Sequence, residues 1–190
     1  VSPESFSGDG LTSIEAAVAQ AQRFEREGAD IIDVGGQSTR PGFEELPVTV
    51  EAERVAPAVR AIVKAVSLPV SIDAYRAPVV AAALDAGAHL INDIWGFRFD
   101  AGVARLAAER GVPAVIMHNQ RGREYHDVIA DILAGLSESI AIARQAGVER
   151  EALIADPGFG FGWTVEQNLE MLRRLRELKQ LGLPILLGTS

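Results

Sequence analysis

The chain has 190 residues, of which 48% are hydrophobic and 23% are charged, a composition typical of an ordinary globular domain. The formal net charge of −8 argues against general nucleic-acid binding, and no apolar run approaches the roughly 18 residues that span a bilayer, so we expect neither partner. The absence of cysteine excludes disulfides and thiolate metal sites and leads us to expect a cytoplasmic location.

The first half of the chain predicts helices and strands in alternation after a loop over residues 1–10. A capping box formed by Thr12 and Glu15 predicts a helix over 12–28, Thr49 is predicted to cap a second helix, and Pro78 suits the first turn of a third. The apolar positions of the first two helices are Ile14, Val18, Ala21 and Phe24, then Val55, Val59, Ile62 and Val66. The predicted strands are 30–34, 70–73 and 89–93.

The second half continues the same alternation. Asp100 is predicted to cap a helix that ends at Gly111, and Thr164 with Gln167 forms a capping box for a helix over 165–180. Between them lies a long helix over 127–146, whose predicted buried positions are Ile129, Leu133, Leu136 and Ile140. The predicted strands are 114–117, 153–156 and 184–187, which brings the totals to six strands and six helices.

Alternating strands and helices predict a parallel sheet, either a closed (β/α)8 barrel or an open doubly wound sheet. The fingerprint G-x-G-x-x-G of the open fold is absent after the first strand. Polar residues fall at the C-terminal ends of five strands, where only a barrel brings all the ends to one mouth. They are Asp33, Asp73, Asn92 with Asp93, His118 and Asp156. Because a barrel needs about 250 residues, we expect one domain over 1–190 that is incomplete at both ends, with about strands 2–7, and unstable when made alone.

The most informative stretch is 153–162, Leu-Ile-Ala-Asp-Pro-Gly-Phe-Gly-Phe-Gly. A buried strand ends in the carboxylate of Asp156, Pro157 stops the strand, and three alternating glycines let the backbone approach a ligand. An ionised carboxylate accepts two parallel hydrogen bonds, which suits a flat edge of N–H donors.

Six motifs, in this order, resemble those of the dihydropteroate synthases. They are Val-Ser-Pro-Glu-Ser-Phe-Ser-Gly-Asp-Gly at 1–10, Asp-Val-Gly-Gly-Gln-Ser-Thr-Arg-Pro-Gly at 33–42, Ser-Ile-Asp at 71–73, Ile-Asn-Asp at 91–93, Met-His at 117–118 and Asp-Pro-Gly-Phe-Gly-Phe-Gly at 156–162. The resemblance implies a TIM (β/α)8 barrel and an Mg²⁺-assisted transferase of folate biosynthesis. That enzyme condenses 6-hydroxymethyl-7,8-dihydropterin pyrophosphate with p-aminobenzoate, and gives 7,8-dihydropteroate and pyrophosphate.

The resemblance also implies roles for individual residues. The pterin is expected to contact Asp73, Asn92, Met117 and Asp156. Pyrophosphate and p-aminobenzoate are expected at Thr39, Arg40 and Phe161, with Asp73 and Arg40 as the catalytic residues. Phe6, Ser7 and Asp9 are expected to form a lid that excludes water. No metal ligand is expected within the chain, since the family's Mg²⁺-linked Asn would fall just before Val1.

Some residues and readings are left open. Asp33 is interpreted as structural, His118 receives no catalytic role, and Arg121, Arg123 and Trp163 receive no role. Two alternatives remain, a pterin-binding methyltransferase that passes a methyl group from methyltetrahydrofolate to a corrinoid, and a catalytically silent paralogue. The resemblance further implies a homodimer of the full-length protein, and Arg-Lys followed later by Arg-x-His beyond Ser190.

Overall fold

The computed structural model describes residues 14–37, 46–121 and 124–189. It divides the chain into two compact units, Val1–Asn92 and Asp93–Ser190. Among the described residues, no helix is long and apolar enough to cross a membrane. The capping residue Thr12 lies outside the described residues, so its predicted box stays a prediction.

In the described part of the first unit, three helices alternate with three parallel strands. In chain order the elements are α1 (Ile14–Arg26), β1 (Ile32–Gly35), α2 (Val48–Ala65), β2 (Val70–Asp73), α3 (Ala77–Asp85) and β3 (Leu90–Asp93), whose last residue already belongs to the second unit. β2 pairs in parallel with both β1 and β3, with Val34 opposite Ile72 and Ile72 opposite Ile91. The strands are short and almost fully buried, as expected when helices cover a parallel sheet.

Half of the eight predicted core positions on the first two helices are confirmed as buried, and one predicted cap is wrong. Val55, Val59 and Ile62 of α2 are fully buried. In α1, however, the buried positions are Ala17 and Ala21, whereas Ile14 is exposed. Thr49 was wrongly predicted as a cap, because α2 already begins at Val48, after Pro47, and has no side-chain capping bond. The proline ring presets the backbone for the first turn, so the helix begins without a polar cap.

Over its described residues, the second unit contains three helices and two parallel strands. These are α4 (Gly102–Arg110), β4 (Ala114–Met117), α5 (Val128–Ala146), β5 (Leu153–Asp156) and α6 (Val165–Arg174), with 3₁₀ turns at Arg150–Ala152 and Leu175–Leu181. β4 and β5 pair from Ala114 opposite Leu153 to Met117 opposite Asp156. The predicted capping box of Thr164 and Gln167 is confirmed. The Asp127 side chain caps α5 by accepting the Ala130 N–H at 2.8 Å.

Three predictions for the second unit need correction. The helix that starts at Val165 ends at Arg174 and tightens into a 3₁₀ turn instead of running to 180. The sixth strand at 184–187 is reduced, within the described residues, to a single parallel bridge between Ala155 and Ile185. On α5, Ile129 and Leu136 are buried as predicted, but Leu133 and Ile140 are partly exposed, so the buried face is rotated from the predicted one. The buried positions include Val128, Ile132, Gly135, Ser139 and Ala143.

The close approach of α5 to the end of β4 explains this rotation. A Cβ atom added at Gly135 would overlap Nδ1 of His118 and lie 2.8 Å from its Cε1. Only glycine leaves room there, so the face that contains Gly135 and Ser139 packs inward although neither residue is hydrophobic. In each unit the strands are parallel and alternate with helices, which confirms the predicted α/β class.

Candidate active site

In the first unit, polar side chains lie side by side at the C-terminal ends of neighbouring strands. Gly35 of β1 is opposite Asp73 of β2, which in turn is opposite Asn92 of β3. The register therefore brings together Asp73 and Asn92, two of the predicted pterin-binding residues. Both side chains are partly exposed, so a ligand can reach them.

Asp33 of β1 orients the amide of Asn92. The Asn92 Nδ2 donates to Asp33 Oδ2 at 3.2 Å, and Ser71 Oγ donates to Asp33 Oδ1. With its N–H group directed at Asp33, Asn92 presents its carbonyl oxygen as an acceptor for a ligand N–H. Asp33 was interpreted as structural, and the structure gives it this orienting contact, which the spacing of the sequence did not reveal.

A buried ion pair helps to hold Gln37 and Leu46, the described residues on either side of 38–45. Arg76 and Glu51 form this pair, and they are 8% and 1% exposed. Arg76 also donates to the Leu46 carbonyl at 2.8 Å and to Gln37 Oε1 at 3.4 Å. The Leu46 N–H donates to the same Gln37 oxygen at 3.2 Å. Gln37 and Leu46 are thus joined by hydrogen bonds that involve the guanidinium of Arg76 and the side-chain amide of Gln37.

Several predicted site residues lie outside the described residues. Besides Arg123, which received no role, they are Thr39 and Arg40 in the Ser-Thr-Arg-Pro-Gly motif, and Phe6, Ser7 and Asp9 in the predicted lid. Their assigned roles stay predictions.

In the second unit, Asp156 ends β5 with its carboxylate in a buried, partly fixed position. Its side chain is 8% exposed overall, and Gly158 N–H donates to Oδ1 at 2.7 Å. Burial raises the pKa of Asp156 from its ordinary 3.8 to about 6, although the Gly158 bond acts in the opposite direction. Gly158 is the only described residue that donates to this carboxylate, so Oδ2 is left to accept from a ligand.

The backbone after Asp156 needs glycine for two separate reasons. Gly158 has a φ of 79°, which disfavours other residues, and a Cβ there would overlap the carbonyl oxygen of His118. The His118 N–H donates to the Asp156 carbonyl at 2.8 Å and continues the ladder past Met117. Met117, the register partner of Asp156, is 4% exposed and packs beneath Gly158. The structure therefore brings together two further predicted pterin contacts, Met117 and Asp156.

Phe161 in the glycine-rich loop has a partner that the sequence did not indicate. The guanidinium carbon of Arg121 lies 4.6 Å from the centroid of the Phe161 ring, within cation–π range. Arg121 is itself tied to the loop after β4, where its N–H donates to Asn119 Oδ1 at 3.2 Å. Phe161, which was predicted to contact pyrophosphate and p-aminobenzoate, is thus held by Arg121, a residue that received no role from the sequence.

His118 is buried and neutral at physiological pH. Burial, together with the smaller effect of the positive charge of Arg98, lowers its pKa to about 4. Its Nε2 lies 3.0 Å from the hydroxyl of Tyr125, which also accepts the indole N–H of Trp163. Asp93, at the end of β3, is also buried, and burial raises its pKa to about 6. Its two oxygens accept the N–H groups of Trp95 and Phe97 at 2.8 and 2.9 Å, so it organises a turn.

Across 14–37, 46–121 and 124–189, no group of three or more His, Cys, Asp or Glu side chains is arranged to hold a metal ion. Mg²⁺ needs several oxygen ligands close together, and the described carboxylates are not grouped in that way, so these residues alone do not fit an Mg²⁺ site.

The comparisons with known proteins cover the whole chain. The family profile described as pterin binding enzyme matches residues 1–190. A dihydropteroate synthase of Clostridium beijerinckii is 51% identical over 189 residues, covering 99% of this chain and 70% of the relative. The solved dihydropteroate synthase of Clostridium difficile, determined with pteroic acid, has a TM-score of 0.93 and 43% identity, covering 100% of this chain and 73% of that one. A Xanthomonas albilineans dihydropteroate synthase with 4-aminobenzoic acid has a TM-score of 0.92 and 41% identity, covering 100% and 70%.

These matches, together with parallel strands that end in carboxylate and amide groups, define an α/β protein of the (β/α)8-barrel class. The predicted fold class is therefore confirmed. The chain belongs to the family of pterin binding enzymes, and the three relatives named above are dihydropteroate synthases.

Proposed function

We propose that this chain carries out the dihydropteroate synthase reaction of folate biosynthesis. Its substrates are 6-hydroxymethyl-7,8-dihydropterin pyrophosphate and p-aminobenzoate, and its products are 7,8-dihydropteroate and pyrophosphate. Relatives named for this activity, which are 41–51% identical to the chain, support the proposal. So do the solved relatives whose ligands are a pteroate and an aminobenzoate. The enzyme class is a transferase.

The observation that carries the proposal in this chain is the state of the Asp156 carboxylate. It is buried, one oxygen is fixed by Gly158, and the other is left for a ligand. The pterin ring presents an amino group and a ring N–H along one edge, and a carboxylate accepts such a pair with good geometry. The cost of burying this charge is recovered when the pterin supplies the missing donors.

In the first unit, Asp73 and Asn92 are the proposed pterin-binding groups. Asn92 presents a carbonyl oxygen because Asp33 holds its N–H group, and that oxygen suits a pterin N–H. Asp73, its register neighbour, supplies a carboxylate that stabilises positive charge on the pterin as the C–O bond to pyrophosphate breaks. In the second unit, Met117 is the proposed apolar contact beneath the ring.

The chemical step exchanges one bond at the exocyclic methylene carbon of the pterin. The carbon–oxygen bond breaks and pyrophosphate leaves with the electron pair. The amine nitrogen of p-aminobenzoate then forms the new carbon–nitrogen bond and loses one proton to water. Arg40 and Thr39 are the proposed groups for pyrophosphate, because a guanidinium binds its oxygens with a planar fork. Phe161 is the proposed contact for the aminobenzoate ring, and Phe6, Ser7 and Asp9 form the proposed lid against water.

Mg²⁺ is part of the proposal only as an ion that accompanies the pyrophosphate. The described residues do not fit a site for it, so no step is assigned to it here. A homodimer and a cytoplasmic location stay predictions.

The experiment that tests the function supplies the whole protein with the two proposed substrates and measures dihydropteroate and pyrophosphate in the same samples. We expect both products in equal amounts, and neither when p-aminobenzoate is omitted. A parallel sample with methyltetrahydrofolate and a corrinoid tests the methyltransferase alternative. Folded protein that transfers the methyl group, or that binds pterin and forms no product, would refute the proposed function.

A further inference from the structure

The glycine-rich loop 156–163 is anchored very differently at its two ends. At its start, Asp156 belongs to β5, and its carbonyl accepts the His118 N–H at 2.8 Å. At its far end, the described hydrogen bond that reaches outside the loop and α6 is the one that the indole N–H of Trp163 donates to Tyr125. Phe161 lies between these anchors, two residues from Trp163. The far-end anchor therefore acts on Phe161 more directly than on Asp156.

Three aromatic side chains form this far-end anchor, and we call His118, Tyr125 and Trp163 the aromatic clasp. The Tyr125 and Trp163 rings meet edge to face, with centroids 5.4 Å apart and planes at 71°. The Tyr125 and His118 rings are 5.8 Å apart at 65°. The clasp thus joins the loop after β4 to the loop after β5 with ring contacts and hydrogen bonds at a single phenol oxygen.

The surroundings of His118 determine how the protons are arranged in the clasp. Nδ1 is buried, has no hydrogen-bond partner among the described residues, and faces the backbone of Gly135. A proton on Nδ1 would be a buried donor without an acceptor, which is costly. The neutral ring therefore carries its proton on Nε2 and donates it to Tyr125. The phenol oxygen accepts two donors, one from His118 and one from Trp163, and both bonds are lost when only the hydroxyl is removed.

We propose that Tyr125 is a positioning residue, which holds Trp163 and thereby sets Phe161 for the aminobenzoate substrate. The inference rests on the proposed function, and it concerns a residue that has received no role above. Arg121 packs over the Phe161 ring from the loop after β4, and Tyr125 lies in that same connection. Loss of the clasp therefore loosens Phe161, the proposed aminobenzoate contact. Asp156 stays in place, because its backbone hydrogen bond with His118 is kept.

The test compares Tyr125→Phe with the wild-type whole protein. Because two hydrogen bonds are lost, we expect the KM for 4-aminobenzoate to rise about tenfold. The Kd for pterin should change by less than about twofold, since Asp156 stays anchored. In a Trp95→Phe background, where Trp163 is the one remaining tryptophan, its emission should shift to longer wavelength. Trp163→Phe removes the donor from the other side and should raise the same KM if Tyr125→Phe does not fold.

Ser139→Ala is the matched control, because it removes a different buried hydroxyl of the same unit, one that donates to the Gly135 carbonyl at 3.1 Å. Its KM for 4-aminobenzoate should equal that of the wild type. An unchanged KM in Tyr125→Phe would overturn the inference, as would equal losses of pterin and aminobenzoate affinity. If the wild type forms no dihydropteroate, the proposed function fails separately. In that case the Trp163 emission is measured in the Trp95→Phe background, with and without the Tyr125→Phe change, as 4-aminobenzoate is added. An equal response in the two proteins overturns the inference.

Discussion

Replacing Asp156 with Asn changes one oxygen of the proposed pterin-binding carboxylate into an N–H group and leaves the shape of the side chain unchanged. The oxygen held by Gly158 N–H at 2.7 Å is kept, and the group that meets the pterin becomes a donor facing donors. A hydrogen bond to a charged group contributes about 1.5–3 kcal/mol, and the remaining one is weakened by the loss of charge. We therefore expect Asp156→Asn to lose about 3 kcal/mol or more of pterin-binding free energy. This loss corresponds to a Kd for pterin that is at least about 100-fold higher.

The raised pKa of Asp156 adds a pH dependence that the variant must lose. Burial raises this pKa to about 6, and only the ionised form accepts both pterin donors. Wild-type affinity should be constant above pH 7 and fall about tenfold per pH unit below about 6. The raised pKa also means that the carboxyl group stabilises the fold most below pH 3.8, and that this contribution is lost as the pH rises through about 6. At pH 7, Asp156→Asn should therefore melt at the wild-type temperature or above it.

Isothermal titration calorimetry of the whole protein with a dihydropterin, between pH 5 and 8, measures these effects. Asp93→Asn is the control, because it alters another strand-end carboxylate whose pKa burial raises to about 6. Both oxygens of Asp93 already accept backbone N–H groups, so this change should lower stability and spare pterin affinity. Equal affinity in Asp156→Asn and wild type, or a wild-type affinity that does not change between pH 5 and 7, would refute the reasoning.

Arg40→Ala should lower turnover while pterin still binds, because the guanidinium is proposed to bind pyrophosphate; wild-type kinetics in this variant would remove it from the mechanism. Gly135→Ala should lower the free energy of unfolding by about 1–3 kcal/mol despite the better helix propensity of Ala, because the added Cβ overlaps His118. A denaturant titration in which Gly135→Ala is as stable as wild type would contradict that packing. Glu51→Ala should cost about 3–5 kcal/mol of stability, because it leaves the buried charge of Arg76 unpaired. A loss below about 1 kcal/mol, as expected for an exposed ion pair, would contradict this account.

Local signals in the sequence predicted the strands and several helix ends well. The bounds of β2, β4 and β5 are as predicted, and β4 and β5 contain short apolar runs. The capping box of Thr164 and Gln167 also formed as predicted, since it depends on residues only three positions apart. Polar residues at strand ends, together with the motifs, predicted the fold class and the family.

Features that depend on contacts distant in sequence were not predicted. The inward face of α5 follows from the close approach of Gly135 to His118. A pattern of hydrophobic residues does not indicate such a contact, because glycine has no hydrophobic side chain. The pairing of Arg76 with Glu51 joins residues of two helical regions, and the contact of Arg121 with Phe161 joins two loops. Each partner taken alone looks like an ordinary charged or aromatic residue, so its role depends on the fold.

The most direct test of the central claim is a crystal structure of the whole protein with bound pteroic acid. The account predicts that the Asp156 carboxylate accepts two hydrogen bonds of about 2.7–2.9 Å from the amino group and ring N–H of the pterin. It also predicts that the carbonyl oxygen of Asn92 faces a pterin nitrogen while its Nδ2 stays on Asp33. A pterin ring bound without contact to Asp156 would contradict the account.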